Sequence, residues 1–283
     1  MQKITVCLTT FNSEKTIRPC LDSVRWADEI IVVDSGSTDR TCEILTEYPV
    51  RVIEQPWLGY ARQKQLSINA SSHDWVFLLD SDEVLSKELQ RTVLTLLKEP
   101  LNFVGFEFPR YEQLFWKMIN PGTRHNYFMR MFDRRSGKMN SVPIHAAFIV
   151  DGPVKRVDAP LFHFSENSIA TKVRKLNDWT DEISLSRFET GRCRHPWAML
   201  FYPLFVFLRH FLFKRNFLNG WAGFISSVCM AFYAFMKDAK GLEHSRRASQ
   251  NGCNLLTTTL ENDGRQLPQP HIVAKNVIHA EPV

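Results

Sequence analysis

The chain has 283 residues, of which 44% are apolar, and it carries 35 Lys and Arg against 30 Asp and Glu. Its length fits one large domain or a domain with an appendage, and its composition excludes a wholly disordered chain and a polytopic membrane protein. Residues 187–247 hold ten Lys and Arg against three Asp and Glu. Because the basic excess is confined to this segment, we expect a local anionic partner and no nucleic acid.

The six cysteines form no C-x-x-C pair and no zinc-ligand spacing. This pattern predicts free thiols in a reducing compartment. The N-terminus enters a strand pattern directly, without the apolar stretch and cleavage site of a signal peptide. The catalytic part is therefore expected in the cytoplasm.

The first hundred residues alternate between strand patterns and amphipathic helix patterns. Strands are predicted at 3–10, 30–33, 51–53 and 75–79, each followed by a helix. This alternation predicts an α/β fold with a parallel sheet and helices on both faces. Right-handed crossovers gather the C-terminal ends of the strands at one edge, where ligands bind in such sheets.

The pattern changes after residue 103. Short alternating strands up to residue 165 predict a mixed-sheet extension, and residues 168–188 are helical in pattern. The apolar residues expected to face the core on that helix are Val173, Leu176, Trp179 and Ile183. The predicted division is a catalytic domain over 1–190, an aromatic and basic helical region over 191–248, and a disordered tail over 249–283.

Three polar clusters directly follow predicted strands. They are Thr9 to Glu14, Asp34 to Asp39, and Asp80-Ser81-Asp82-Glu83. In a parallel sheet these clusters converge at one edge. Two carboxylates one residue apart at a strand end suit Mg²⁺ or Mn²⁺, which prefer oxygen ligands and share them with substrate phosphates.

Four motifs together carry a resemblance: T-T-F-N-S-E, V-V-D-S-G-S-T-D, G-Y-A-R-Q-K-Q and L-L-D-S-D-E. Over about residues 3–185 the chain resembles the family 2 glycosyltransferases of the A-type fold. The flanking text W-A-D-E-I-I and E-Q-P-W-L resembles the branch that adds sugars to the lipopolysaccharide core of Gram-negative bacteria. The resemblance implies a Rossmann-like fold with a mainly parallel sheet and an inverting transfer of a hexose. It also implies a UDP-sugar or similar nucleotide-diphosphate sugar as donor, a lipid-linked glycan as acceptor, and Mn²⁺ or Mg²⁺ as cofactor.

The resemblance also implies roles for individual residues. Those placed with the nucleotide and diphosphate are Thr9, Thr10, Phe11, Asn12, Glu14, Asp34, Arg62 and Asp80. The implied metal ligands are Asp82, Asp80 and His145. The implied catalytic residues are His145, Glu83 and Asp82.

The general base is the point at which the chain departs from the family pattern. The segment V-P-I-H-A carries Ala146 where the related branch has Glu, directly after His145. Either His145 serves as base or metal ligand, or a nearby carboxylate substitutes. Glu83, Glu112 and Asp133 are the alternatives, although Glu83 could instead cap the helix that follows it.

The segment 196–236 differs in composition from the rest. Thirteen of the 34 aromatic residues lie between Trp197 and Phe235, and basic pairs occur at 209–210 and 214–215. This composition predicts membrane-associated helices lying in the headgroup layer of an anionic leaflet, peripheral to the cytoplasmic face of the inner membrane. Two alternatives are a span over 216–236, which has the length but contains Asn, Gly and Ser, and a buried helical pair.

Three other functions are compatible with parts of the pattern. A sugar-1-phosphate nucleotidyltransferase should have a Gly-rich loop after the first strand, and T-T-F-N-S-E contains no glycine. A non-catalytic nucleotide-sugar-binding protein is suggested by Ala146. A polyprenyl-phosphate glycosyltransferase would share the donor site.

Overall fold

The computed structural model describes residues 2–98, 102–140, 146–164, 168–192 and 194–261. Its first part contains, in chain order, β1 (Ile4–Thr10), α1 (Ile17–Asp22), β2 (Glu29–Asp34), α2 (Thr41–Leu45), β3 (Arg51–Glu54), α3 (Tyr60–Asn69), β4 (Trp75–Asp80), β5 (Glu83–Leu85) and α4 (Lys87–Leu96). The predicted alternation of strands and helices is confirmed, with the short strand β5 as an addition.

Strands β1 to β4 form a parallel block in the order β3-β2-β1-β4. In its register Thr10 lies beside Asp34 and Thr9 beside Asp80, so the polar ends of three strands are level. Side-chain alternation along β1 places Val6 in a core with α1, α2 and α4, and Cys7 in a second core with α3. Helices therefore cover both faces, as predicted.

The second part adds β6 (Gly105–Leu114), β7 (Lys117–Met118), β8 (Asn126–Asp133), β9 (Gly137–Met139), β10 (Phe148–Val150), β11 (Val154–Arg156) and β12 (Leu161–His163). The main sheet continues from β4 in the order β8-β6-β12-β5, with antiparallel pairs on both sides of β8 and between β12 and β5. The predicted mixed extension is confirmed. Because only Ser81 and Asp82 separate β4 from β5, the sheet must curl until its last strand returns to β4.

A helical unit follows, made of α5 (Ile169–Glu189), α6 (Ala198–Leu208) and α7 (Trp221–Glu261). It is fixed to the sheet through Asn219, whose side-chain oxygen accepts a hydrogen bond from the backbone N–H of Asn120 at 2.6 Å. The Asn219 amide donates to the Thr123 hydroxyl at 3.1 Å. A small core of Leu114, Phe115 and Ala222 completes the joint.

Two sequence expectations for this unit differ from the structure. Val173 and Trp179 are exposed, because α5 turns Leu176, Thr180 and Ser184 towards the interior instead. These small hydroxyl side chains allow α5 to approach α7, where Ser184 lies 3.3 Å from His244. Helix α7 also continues to Glu261, past the boundary predicted for a tail, and residues 262–283 lie outside the described part of the chain.

Candidate active site

The three polar clusters lie side by side at the C-terminal edge of the parallel block. Asn12 has a left-handed backbone (φ 47°), and its side-chain oxygen accepts a hydrogen bond from the backbone N–H of Thr38 at 2.8 Å. Its own N–H donates to the Ser37 hydroxyl at 2.9 Å. The Ser13 and Ser81 hydroxyls are 2.8 Å apart, which joins the first cluster to the third. The predicted convergence of the clusters is confirmed.

The residues predicted for the nucleotide divide into loop-forming and open side chains. Asp34 is buried, and its carboxylate accepts hydrogen bonds from the N–H groups of Gly36 at 2.9 Å and Ser37 at 2.8 Å. Thr10 is also buried. Glu14 accepts a hydrogen bond from the Arg40 N–H, whereas the Phe11 ring is 57% exposed. Phe11 is therefore the side chain of this group that is most open to a ligand ring.

The motif G-Y-A-R-Q-K-Q begins α3 and presents its residues to different neighbours. Arg62 is exposed and lines a cavity of about 510 Å³ together with Trp57 and Tyr60. Gln63 is buried, and its amide donates to the Ser35 hydroxyl at 3.1 Å. Lys64 is buried and forms an ion pair with the Asp80 carboxylate. The sequence suggests that Lys64 meets the diphosphate or lies on a solvated helix face, and the structure instead pairs it with Asp80 at the third cluster.

Eight charged side chains of alternating sign form a continuous chain of ion pairs where the sheet curls. In spatial order they are Lys64, Asp80, Arg130, Glu83, Arg110, Glu112, His163 and Asp82. Asp82 follows Asp80 by two residues, so the backbone between them closes this series of ion pairs. The eight side chains are termed the charge ring. With His163 protonated, the ring holds four positive and four negative groups.

The interior of the charge ring is built on Glu83 and Arg130. Glu83 has no exposed side-chain area, pairs with Arg130, and lies 3.4 Å from an Arg110 nitrogen. Its second oxygen accepts a hydrogen bond from the backbone N–H of Asp80 at 3.1 Å. Burial favours a raised pKa for Asp80, but the charges of Lys64 and Arg130 hold that pKa well below its ordinary value. Asp80 is thus an anion with both oxygens already paired.

The outer end of the charge ring is formed by His163 between two carboxylates. His163 Nε2 lies 3.3 Å from Asp82 Oδ2, and its Nδ1 contacts Glu112. Burial opposes the charged form of His163, but the hydrogen bonds to Asp82 and Glu112 raise its pKa to about 10. Burial likewise opposes ionisation of Glu112, but the bond from His163 lowers its pKa to about 2. His163 is therefore an imidazolium at neutral pH.

The candidates for the general base are separated by the structure. Glu83 is enclosed by two arginines, and Ser86 caps α4 in its place by accepting a hydrogen bond from the Leu89 N–H at 3.0 Å. The alternative Asp133 is wrong, because it pairs with Trp75 at the start of β4, roughly 16 Å along the strand from Asp80. His145 lies outside the described residues, so its role stays a prediction.

A divalent cation fits the outer end of the charge ring better than its interior. In the described part of the chain, no three His, Cys, Asp or Glu side chains are grouped to hold a metal ion. Asp82 and His163 are nevertheless 3.3 Å apart, and His163 can bind an ion beside Asp82 only as the neutral imidazole, after its Nε2 proton has left. A hard cation with one or two protein ligands usually completes its shell with water and substrate phosphates. Asp80 as a direct ligand stays a prediction, since its oxygens are already paired with cations.

Comparison with known proteins identifies the family of this chain. Residues 5–152 match the model of Glycosyl transferase family 2. LpsC, a lipopolysaccharide core biosynthesis glycosyltransferase of Rhizobium meliloti, is 31% identical over 257 residues, covering 87% of this chain and 93% of LpsC. An uncharacterized glycosyltransferase of Rickettsia prowazekii is 29% identical and covers 85% of this chain and 87% of its own length.

Among solved structures, S. aureus TarS 1–349 in complex with UDP-GlcNAc has a TM-score of 0.45 and 16% sequence identity, covering 89% of this chain and 92% of that one. The family model and the LpsC match decide the classification. The chain belongs to glycosyltransferase family 2 and is a glycosyltransferase with an α/β fold and a curled mixed sheet.

Replacing the buried acid of the charge ring should destabilise the protein. Glu83→Leu leaves Arg130 and Arg110 without their shared partner, and breaking a buried pair costs about 3 kcal/mol of unfolding free energy. Urea unfolding measures the loss. Glu47→Leu is the matched control, because Glu47 pairs with Arg18 on the surface and should matter little. Equal effects of the two substitutions would contradict the buried network.

The raised pKa of His163 predicts a pH dependence of stability. In metal-free protein the folded pKa of about 10 lies above the ordinary value of 6.5, so the native state holds the extra proton. The stabilisation is complete below pH 6.5 and disappears as the pH rises towards 10. Unfolding free energies measured in EDTA should fall over this range for the wild type and fall less for His163→Gln. Parallel curves for the two proteins would refute the assignment.

Proposed function

We propose that this enzyme transfers a hexose, with inversion, from a UDP-sugar to a lipid-linked glycan acceptor of the lipopolysaccharide core type. The observation that carries the proposal is the convergence of three polar clusters at a rim beside the Asp82 and His163 pair of the charge ring. The identity with LpsC supports the acceptor class, because it extends over most of both chains.

The donor nucleotide would lie along the rim formed by the loops after β1 and β2. Phe11 offers an open ring for the base, and Asn12 fixes the two loops to one another. Arg62, at the cavity beside the start of α3, supplies a cation for the diphosphate. The positive end of α3 would add to that attraction.

Asp82 would hold the divalent cation, Mn²⁺ or Mg²⁺, and His163 would join it as the neutral imidazole, which requires loss of its Nε2 proton. When bound, the cation offsets the negative charge that develops on the departing diphosphate. The protein's own part is to keep Asp82 at the rim, since Glu83 and Arg130 fix the residues on both sides of it. Asp80, held by Lys64 and Arg130, positions this turn.

Inversion requires the acceptor hydroxyl to attack from the side opposite the leaving diphosphate. A base within hydrogen-bond reach must take the hydroxyl proton. Glu83 is enclosed, and Glu112 is already paired with His163 and Arg110. Both carboxylates therefore position other residues and do not act as the base. His145 is the base in this proposal.

The acceptor would be met at a membrane surface on the cytoplasmic face of the inner membrane. No helix among the described residues has the length and apolarity needed to cross a bilayer. Helices α6 and α7 and the residue directly before α6 nevertheless expose aromatic rings, which together are termed the apolar face: Trp197, Phe201, Phe205, Trp221, Phe224 and Phe232. Exposed rings at helical spacing suit insertion into the headgroup layer. Peripheral binding would place the enzyme beside a lipid-linked substrate.

Removing the proposed metal ligand should abolish turnover without unfolding the protein. Asp82→Asn should lower kcat/KM at least about 100-fold, because a bound cation supplies several kcal/mol of transition-state stabilisation. Transfer from a panel of UDP-sugars with Mn²⁺ to lipopolysaccharide core acceptors measures this. Asp151→Asn, in an exposed turn, is the control. Full activity of Asp82→Asn at an unchanged melting temperature would refute the metal assignment.

The apolar face predicts vesicle binding that depends on its rings. Phe201 and Trp221 are 71% and 76% exposed, and replacing both with Ser should weaken binding to lipid vesicles at least about tenfold. Co-sedimentation of the full chain with vesicles measures the change. Trp57→Ser, an exposed ring on the catalytic domain, should have no effect. Unchanged binding of the double variant would exclude the apolar face as the contact.

A further inference from the structure

A second charged cluster lies in the helical unit, outside the active site. Asp238 of α7 has only 3% of its side chain exposed. One of its oxygens lies 3.3 Å from an Arg187 nitrogen, and the other lies 3.8 Å from Arg194. That second oxygen is buried and has no hydrogen-bond partner in the described structure. Two arginines from different segments are therefore drawn to one buried carboxylate.

The cluster carries a net positive charge. Its one carboxylate faces two arginines, which leaves an excess of one positive charge. Lys237, which directly precedes Asp238 on α7, has its ammonium 4.9 Å from the centre of the Tyr233 ring. The charge ring of the active site, by contrast, is balanced.

The cluster lies at the border of the apolar face. The Arg194 guanidinium stacks on the Tyr202 ring of α6 at 3.8 Å from its centre. The centre of the Tyr202 ring lies 6.1 Å from the centre of the Phe205 ring, which belongs to the apolar face. Arg187 and Arg194 keep 28% and 36% of their side chains exposed, so a ligand can reach both. If the apolar face enters the headgroup layer, this cluster meets the lipid phosphates.

We propose that Arg187 and Arg194 bind the phosphate of an anionic phospholipid headgroup and so fix the orientation of the enzyme on the bilayer. A guanidinium fork matches phosphate oxygens in a bidentate manner, and Asp238 holds the two forks near each other. The excess of one positive charge is what the single negative charge of a phosphodiester headgroup would neutralise. This inference rests on the membrane part of the proposed function.

The test compares binding of the full chain to vesicles of phosphatidylcholine alone and of phosphatidylcholine with phosphatidylglycerol. Arg187→Gln with Arg194→Gln should weaken binding to the anionic vesicles about tenfold and leave binding to neutral vesicles unchanged. The control, Arg25→Gln with Arg51→Gln, removes two exposed charges from the catalytic domain and should have less than about a twofold effect.

The outcomes separate this inference from the membrane proposal. If the wild type binds neither kind of vesicle, membrane docking itself fails. If the wild type binds but both double variants weaken binding equally, the attraction between the protein and the anionic vesicles is non-specific. That result would refute the headgroup site. If glycerol phosphate alone raises the melting temperature of the wild type and not of the variant, the cluster is a site for a soluble phosphate, which also overturns it. Should the double variant misfold by circular dichroism, Arg194→Gln alone decides by the same comparison, with Arg51→Gln as its control.

Discussion

The active site depends on the ion pair between Glu83 and Arg130, two charged side chains that are almost completely buried. Each charge alone would be costly to remove from water, and the pair is tolerated only because every neighbour continues the alternation of sign. Arg130 also reaches Asp80, and Glu83 also reaches Arg110. The curl of the sheet makes this possible, because it brings β5, β6, β8 and β12 around one polar interior.

These ion pairs hold the two-residue turn between β4 and β5 in a fixed position. The Ser81-Asp82 turn is fixed at one end by Asp80, paired with Lys64 and Arg130, and at the other end by Glu83. Asp82 and His163 remain as the outer members, where the ring meets the three converging loops. A site built on paired strands in this way loses little freedom when a substrate binds, which is the basis of preorganisation.

The first hundred residues could be predicted well because their signals are local. Alternating β-branched residues, helical apolar spacing and polar residues at strand ends each lie within one element, and together they placed the three clusters at one rim. Arg110, Arg130 and His163 were missed because the partners that join them to the third cluster are 27 to 81 residues away in the chain, where spacing carries no information. One signal was present: Arg130 interrupts the apolar run M-R-M-F of a predicted strand, and a charge in such a run needs a partner. The α5 face was mistaken because small hydroxyl residues, and not the largest apolar ones, made its contact with α7.

We propose that the charge ring delivers Asp82 and His163 together to the rim that would bind the donor diphosphate. Anomalous diffraction at the manganese edge from crystals grown with Mn²⁺ and UDP tests this claim most directly. The account predicts one manganese peak in contact with both side chains and with the diphosphate of UDP. Manganese and diphosphate bound together at some other place, with Asp82 and His163 uninvolved, would contradict it.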